Sequence, residues 1–164
     1  MEHAGERDSA TLVTWMGPAD ANSAGFVHGG TVMRLCDEAA GIAAGRHSRR
    51  RVVTAAMDRM IFRHPVHVGE LLVLSASVNA VWRTSMEVGV RVCAEEIQTG
   101  RLRHTSTAYL TMVALDDTGR PVEVPPLEVA SEEGRRRERE AQLRRAHRLA
   151  EREEIARHRD GGDG

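Results

Sequence analysis

An α+β fold, with one long helix lying against a long antiparallel sheet, is predicted by three features of this 164-residue chain. Residues His28 to about Arg46 form a single stretch of small and apolar residues in which glycine is the only helix breaker. From Leu72 onward, long runs alternate apolar and polar residues, the period of a strand. Short turns join those runs and no second helix falls between them. The strands are therefore antiparallel, and the helix covers one face of their sheet.

Taken in order, residues 1–10 read as a flexible leader, and Thr11–Gly17 is a short strand ended by Gly17-Pro18. The helix from His28 lacks the one-sided apolar stripe of a surface helix, so it is expected to be enclosed on most sides. Ala39, Ala40, Ala43 and Ala44 would let a sheet approach it closely, at some cost in helix propensity from the neighbouring glycines. Arg51–Phe62 is the strand between the helix and Pro65. In the next run Leu74, Ala76, Val78, Ala80 and Trp82 share one face. Met86, Val88, Val90, Val92 and Ala94 do so in the run after it, and Ala108, Leu110, Met112 and Ala114 in the last. Turn residues separate them at His64-Pro65…Gly69, Trp82-Arg83-Thr84, Gln98-Thr99-Gly100 and Asp116-Asp117-Thr118-Gly119. The first domain then spans residues 11–127. Beyond Pro125-Pro126 the composition shifts to Arg, Glu and Ala, and residues 128–164 read as a charged helical or disordered tail. Ser131 can cap its helix, and Glu133/Arg137, Glu140/Arg144 and Glu153/Arg157 have the favoured Glu-first spacing.

Composition excludes several classes. Hydrophobic residues make up 41% of the chain but aromatics only 3%, so the core is built from Val, Leu, Ala and Met. The 23 basic residues, all arginine, are balanced by 24 acidic ones. With a net charge of −1, neither nucleic acid nor an anionic membrane is an expected partner. No apolar run is long enough to span a bilayer, and the polar N-terminus lacks a signal-peptide core, so a cytoplasmic location is expected. Cys36 and Cys93 read as free thiols in apolar segments. No metal site and no cofactor are expected: His64 and His67 flank Pro65 in a turn without further ligands.

The chemistry concentrates in Ala19–Gly45. A polar loop carrying Asn22 leads to His28-Gly29-Gly30, where the helix opens and leaves bare backbone N–H groups facing outward. Asp37 and Glu38 sit in the middle of that helix, where a carboxylate is costly to keep charged without a partner or a task. Together these are parts of a site that polarises a carbonyl and supplies a base. Asp37 can also be read as a structural carboxylate paired with Arg34 or with a neighbouring chain, Glu38 as structural, and Asn22 as a turn residue. Arg83, Thr84 and Ser85 at a hairpin end offer a cation and hydroxyls to an anionic group, and equally a plain turn. Thr54 could add its hydroxyl from the neighbouring strand.

Several motifs recur in an order that resembles one family. They are Asp20-Ala21-Asn22 through Phe26-Val27-His28-Gly29-Gly30, then Asp37-Glu38-Ala39-Ala40-Gly41 with Arg46-His47, then Val53-Thr54-Ala55 with Asp58. Phe62…Pro65-Val66…Val68-Gly69-Glu70, Arg83-Thr84-Ser85-Met86-Glu87-Val88 and Val124-Pro125-Pro126-Leu127 complete the set. The pattern is similar to that of hotdog-fold acyl-CoA thioesterases, on the cytosolic acyl-CoA hydrolase branch. It covers residues 11–127 and leaves the tail outside. The resemblance implies a hotdog fold and Asn22 and Asp37 as the catalytic pair. It also implies an acyl-CoA substrate and a homo-oligomer: a dimer, assembled as a hexameric trimer of dimers. Gly30 N–H would hold the oxyanion, Asp37 would activate water or attack directly, and His28 and Gly29 would line the substrate.

Spacing bears on this independently. Gly30 and Asp37 lie roughly 10 Å apart along a helix, too far for one to serve a carbonyl held by the other. Two antiparallel helices across a two-fold axis would bring Asp37 of one copy to Gly30 and Asn22 of the other. A non-enzymatic acyl-CoA-binding sensor is the alternative. A hotdog hydratase is disfavoured because position 42 is Ile and His47 is expected beyond the helix end.

Overall fold

The computed structural model describes residues 8–160, which fall into two compact units that part between Leu127 and Glu128. Most of the proposed leader, residues 1–7, and the glycine-rich end, residues 161–164, lie outside the described residues. The first unit holds strand β1 (Ser9–Trp15), helix α1 (Gly29–Ser48) and strands β2 (Arg51–Met57), β3 (Leu71–Val81), β4 (Ser85–Glu96) and β5 (Arg101–Leu115). They form one antiparallel sheet in the order β1-β3-β4-β5-β2, with α1 packed on one face. The α+β architecture is the one the sequence predicts.

Alternation places Leu72, Leu74, Met86, Val88, Val90, Val92, Leu110 and Met112 in the core, each 2% exposed or less. Burying each of the larger side chains stabilises the fold by about 1.5–3 kcal/mol. From α1, Val32, Leu35, Cys36, Ala39, Ala40, Ala43 and Ala44 meet them. The helix is enclosed on one side only, contrary to the expectation from its sequence. Met33 and Ile42 are 41% and 39% exposed, and Asp37 and Glu38 share their open face. The stripe escaped notice because alanine contributes little hydrophobic contrast while filling a close helix–sheet contact.

Several boundaries also differ from the sequence reading. Strand β1 begins at Ser9 and stops before Gly17. Strand β2 ends at Met57 rather than Phe62, although Asp58 N–H and Arg63 N–H still donate to Tyr109 and Thr105 of β5. Helix α1 continues to Ser48, so His47 lies in its last turn and not beyond it. Arg49, at φ 53°, closes the helix with its N–H on the Gly45 carbonyl. His47 Nε2–H donates to the Pro125 carbonyl at 2.9 Å, and its Nδ1 lies 2.6 Å from the Asp8 carboxylate. Arg46 donates to Ser9 O at 2.8 Å. These contacts fasten the start of β1 and the segment after β5 to one end of α1.

The second unit holds helix α2 (Glu132–Asp160). Ser131 Oγ accepts the Gly134 N–H at 3.0 Å, the expected N-cap bond. Glu133–Arg137 and Glu140–Arg144 pair at 3.9 Å, and Arg136–Glu140 more closely at 2.7 Å. For the third anticipated pair, Arg157 Nε–H instead donates to the Glu153 backbone carbonyl at 3.4 Å. Among the described residues, no helix is long and apolar enough to cross a membrane.

Where β3 bulges at Asn79, the buried side chain donates to the buried Glu87 carboxylate at 3.2 Å. Gly89 leaves room for it, since a Cβ there would lie 2.6 Å from Asn79 Nδ2. Gly89→Ala is expected to destabilise the domain by about 1–3 kcal/mol, the usual cost of overpacking. A urea midpoint equal to that of the parent would contradict this arrangement.

Candidate active site

Within one chain the candidate residues form two groups, one at the start of α1 and one from its middle onward. The first lies at the helix start. Asn22 Oδ1 accepts the Ala24 and Phe26 N–H groups at 2.9 and 3.2 Å, which shapes the loop into the helix. His28 occupies the N-cap position with its backbone N–H on Asp20 O, but its side chain makes no capping bond and is exposed.

Gly29 and Gly30 supply the first turn, whose N–H groups have no intrahelical acceptors. The Phe62 ring would lie 3.3 Å from a Cβ on Gly29, whereas nothing lies within 4 Å of one on Gly30. Phe62 therefore walls one side of the helix start and Gly30 stays open. The sequence carried Phe62 only as a motif letter. Its contact with Gly29 comes from the irregular segment that follows β2 and still bonds to β5 at Asp58 and Arg63.

The second group lies further along. Asp37 projects from the exposed face of α1, and Thr54 on β2 donates its hydroxyl to Asp37 Oδ1. Arg34 pairs instead with Glu38, so the alternative in which Arg34 neutralises Asp37 does not occur. That exposed pair adds little stability. The strand register extends the group. Val53, Val113 and Ser85 form one transverse row of β2, β5 and β4, and Thr54, Met112 and Met86 form the next. Two strand spacings, about 10 Å, separate Thr54 from the hairpin end carrying Arg83, Thr84 and Ser85. Val124 N–H donates to Arg83 O, and His47 reaches Pro125, so this hairpin end lies near the C-terminal end of α1.

The two groups do not meet within one chain. Asn22, His28, Gly29 and Gly30 stand at the N-terminal end of α1. Asp37 and Thr54 stand at its middle, with Arg83, Thr84 and Ser85 beyond them. Among the described residues no three metal-ligating side chains converge, and His67 packs edge-on against Phe26 at 5.3 Å between ring centres.

This fold is the hotdog thioesterase fold. The Thioesterase superfamily pattern matches residues 24–101. YkhA of Bacillus subtilis, named an uncharacterized acyl-CoA thioester hydrolase, is 40% identical over 116 residues, which are 71% of this chain and 67% of that one. An apo-hexameric acyl-CoA thioesterase superposes with a TM-score of 0.86 at 37% identity, covering 90% of this chain and 94% of that chain. An acyl-CoA hydrolase from Staphylococcus aureus, solved with butyryl coenzyme A and coenzyme A, superposes with a TM-score of 0.86. It is 30% identical and covers 95% of each chain. That enzyme has also been solved with single alanine substitutions of an aspartate, an asparagine and a threonine. The matched segment spans 66% of the length of VdlD from Helicobacter pylori and 34% of the rat cytosolic acyl coenzyme A thioester hydrolase. The chain belongs to the thioesterase superfamily. Within it, the chain falls on the branch of acyl-CoA thioester hydrolases.

Both thiols, Cys36 and Cys93, are free. Burial, reinforced by the adjacent Asp37 charge, pushes the Cys36 thiol up to about 12. As the thiolate is the reactive form, Cys36 is expected to resist iodoacetamide in the folded protein at pH 8. The half-buried Cys93 should be modified first. Mass spectrometry showing both labelled at equal rates would contradict this burial.

Proposed function

We propose that this chain hydrolyses acyl-CoA to a carboxylic acid and CoA at a site shared between two copies of itself. The observation that carries this reading is the division of the site residues into two groups along α1. Each group is incomplete, and each faces the open side of the helix. Two helices packed antiparallel through Met33 and Ile42 would join the Asn22–Gly30 group of one copy to the Asp37–Thr54 group of the other. The names of the matched relatives favour a hydrolase over a sensor. Spacing adds specific support. The asparagine, aspartate and threonine substituted in the Staphylococcus enzyme are separated by 15 and 17 residues. Asn22, Asp37 and Thr54 are separated by 15 and 17.

In this site the thioester carbonyl lies against the first turn of α1, where Gly30 N–H and the helix dipole stabilise the developing oxyanion. Asp37 is the base that removes a proton from the attacking water. Thr54 donates to one carboxylate oxygen, which orients the other toward that water. Asn22, with its carbonyl oxygen engaged in the loop, presents its NH2 to the water or the carboxylate. Arg83, Thr84 and Ser85 contact the CoA portion. The leaving thiolate has a conjugate acid near pKa ~8.5 by the cysteine reference, so no strong general acid is required. Dimers would assemble further into a hexamer, the state named for two structural neighbours. Its setting is the cytoplasm.

Asp37→Ala is expected to lower kcat by about 10²–10⁴-fold while the protein stays folded, as for other general bases. Free-thiol release from a panel of acyl-CoA esters measures this, and near-parental kcat would sink the mechanism. The shared site has its own test. Mixing inactive Asn22→Ala and Asp37→Ala homodimers should restore activity as subunits exchange, because one intact site forms per heterodimer. Exchange seen by mass spectrometry without recovered activity would place both residues in one chain's site.

A further inference from the structure

The face of the sheet turned away from α1 carries a cluster of positive charge that the hydrolytic site does not use. Val90 and Val92 point into the core, so Arg91 between them points outward. Across the ladder Arg91 is paired in register with Thr107 of β5. Simple alternation would turn His104 to the opposite side from Thr107, but the register shifts between Val92 and Cys93. The extra residue, Thr105, is buried together with Ser106, and the strand resumes with His104 on the face of Thr107. His104 Nε2 lies 2.9 Å from Thr107 Oγ1.

Arg63 enters from the segment after β2, held by its N–H on the Thr105 carbonyl at 2.8 Å, with His64 beside it. Among the described residues, none of Arg63, His64, Arg91 and His104 is paired with a carboxylate. The next arginine along β5 is different: Arg103 is paired with Glu70 and also donates to the Pro65 carbonyl.

We propose that Arg63, His64, Arg91, His104 and Thr107 form a binding site for a phosphate ester. Two guanidinium forks and a hydroxyl match a tetrahedral oxyanion; the ladder holds the backbone of Arg91, His104 and Thr107, and the bond to Thr105 O holds that of Arg63. Clustered cations without counter-charges repel one another, and a bound dianion removes that repulsion. His104 reports it. Its imidazole is held below its ordinary pKa, first by burial and then by the charge of Arg91, with Arg63 and His64 adding to this and a Ser106 backbone bond opposing it. A bound anion favours the protonated ring, so binding takes up a proton and strengthens as pH falls. Phosphate-ester chemistry can come from the nucleotide end of CoA or from a separate nucleotide. Only the first source rests on the acyl-CoA reading.

The test follows the His104 ring by NMR, and binding by calorimetry, in the full-length protein with inorganic phosphate, ADP and CoA as probes. Bound phosphate probes should move the His104 titration to higher pH. Arg63→Ala and Arg91→Ala should each weaken binding by about tenfold or more, as expected for a lost charge-assisted bond. Thermal unfolding would verify that each variant is folded. If CoA competes with ADP and weakens in both variants, the site holds the substrate's nucleotide. If ADP alone weakens, the site serves a separate nucleotide. A His104 titration indifferent to all three probes, or equal affinities in parent and variants, would overturn the site. Calorimetric CoA binding and thioester turnover, both read separately, would leave the hydrolase reading intact in that event.

Discussion

The close contact between α1 and the sheet is the constraint from which the rest of the structure follows. Ala39, Ala40, Ala43 and Ala44 are fully buried where the helix meets β3, β4 and β5. Side chains of this size bring the helix axis near the sheet, and larger ones would force it away or leave the long strands unfilled. The helix spends its small face on this contact, so its other face must take the remaining residues. These are Met33, Asp37 and Ile42, with Gly30 one turn ahead. One packing decision therefore exposes both a carboxylate and an apolar surface on the same side of one helix.

Apolar exposure also occurs on the edge strands, on the sheet face turned away from α1. Strands β1 and β2 end the sheet, and Val13, Trp15 and Val53 on them are 57%, 62% and 46% exposed. Unpaired edges bearing large apolar residues are a liability in an isolated domain. The proposed pairing of two copies covers the apolar helix face and completes the site in one step. Thr54 illustrates the link. Its backbone belongs to an edge strand next to a register shift, while its hydroxyl is committed to Asp37.

Much of this was legible in the sequence, for identifiable reasons. The long strands carry two-residue periods anchored by branched side chains, and the turns carry glycine, proline and aspartate where the chain reverses. Gly119, at φ 81°, closes the turn in which Asp116 accepts the Thr118 and Arg120 N–H groups. Asn22, Gly30 and Asp37 stood out because glycine pairs and mid-helix carboxylates are poor choices for stability alone. What stayed hidden was whatever depends on register irregularity. The bulge at Thr105 cannot be seen in a string that alternates almost regularly, so His104 could not be assigned to the face of Arg91. Likewise the end of β2 at Met57 was unreadable, because Asp58–Phe62 continues an apolar pattern without a paired ladder. The one-sided burial of α1 was lost to the neutrality of alanine.

The local use of Asn22 bears on how the site works. An asparagine whose oxygen already accepts two loop N–H groups loses little freedom on binding, since its orientation is set before substrate arrives. Asp37 is restrained in the same way by Thr54, and Gly30 by its place in a twenty-residue helix. In the proposed site each half is therefore restrained within its own chain, and only the relation between chains remains to be set. In the proposed dimer that relation depends on the apolar contact around Met33 and Ile42. Substitutions there would alter catalysis without touching a reacting group, because a displacement of one ångström between the proposed oxyanion donor and the proposed base is enough to slow such a reaction substantially.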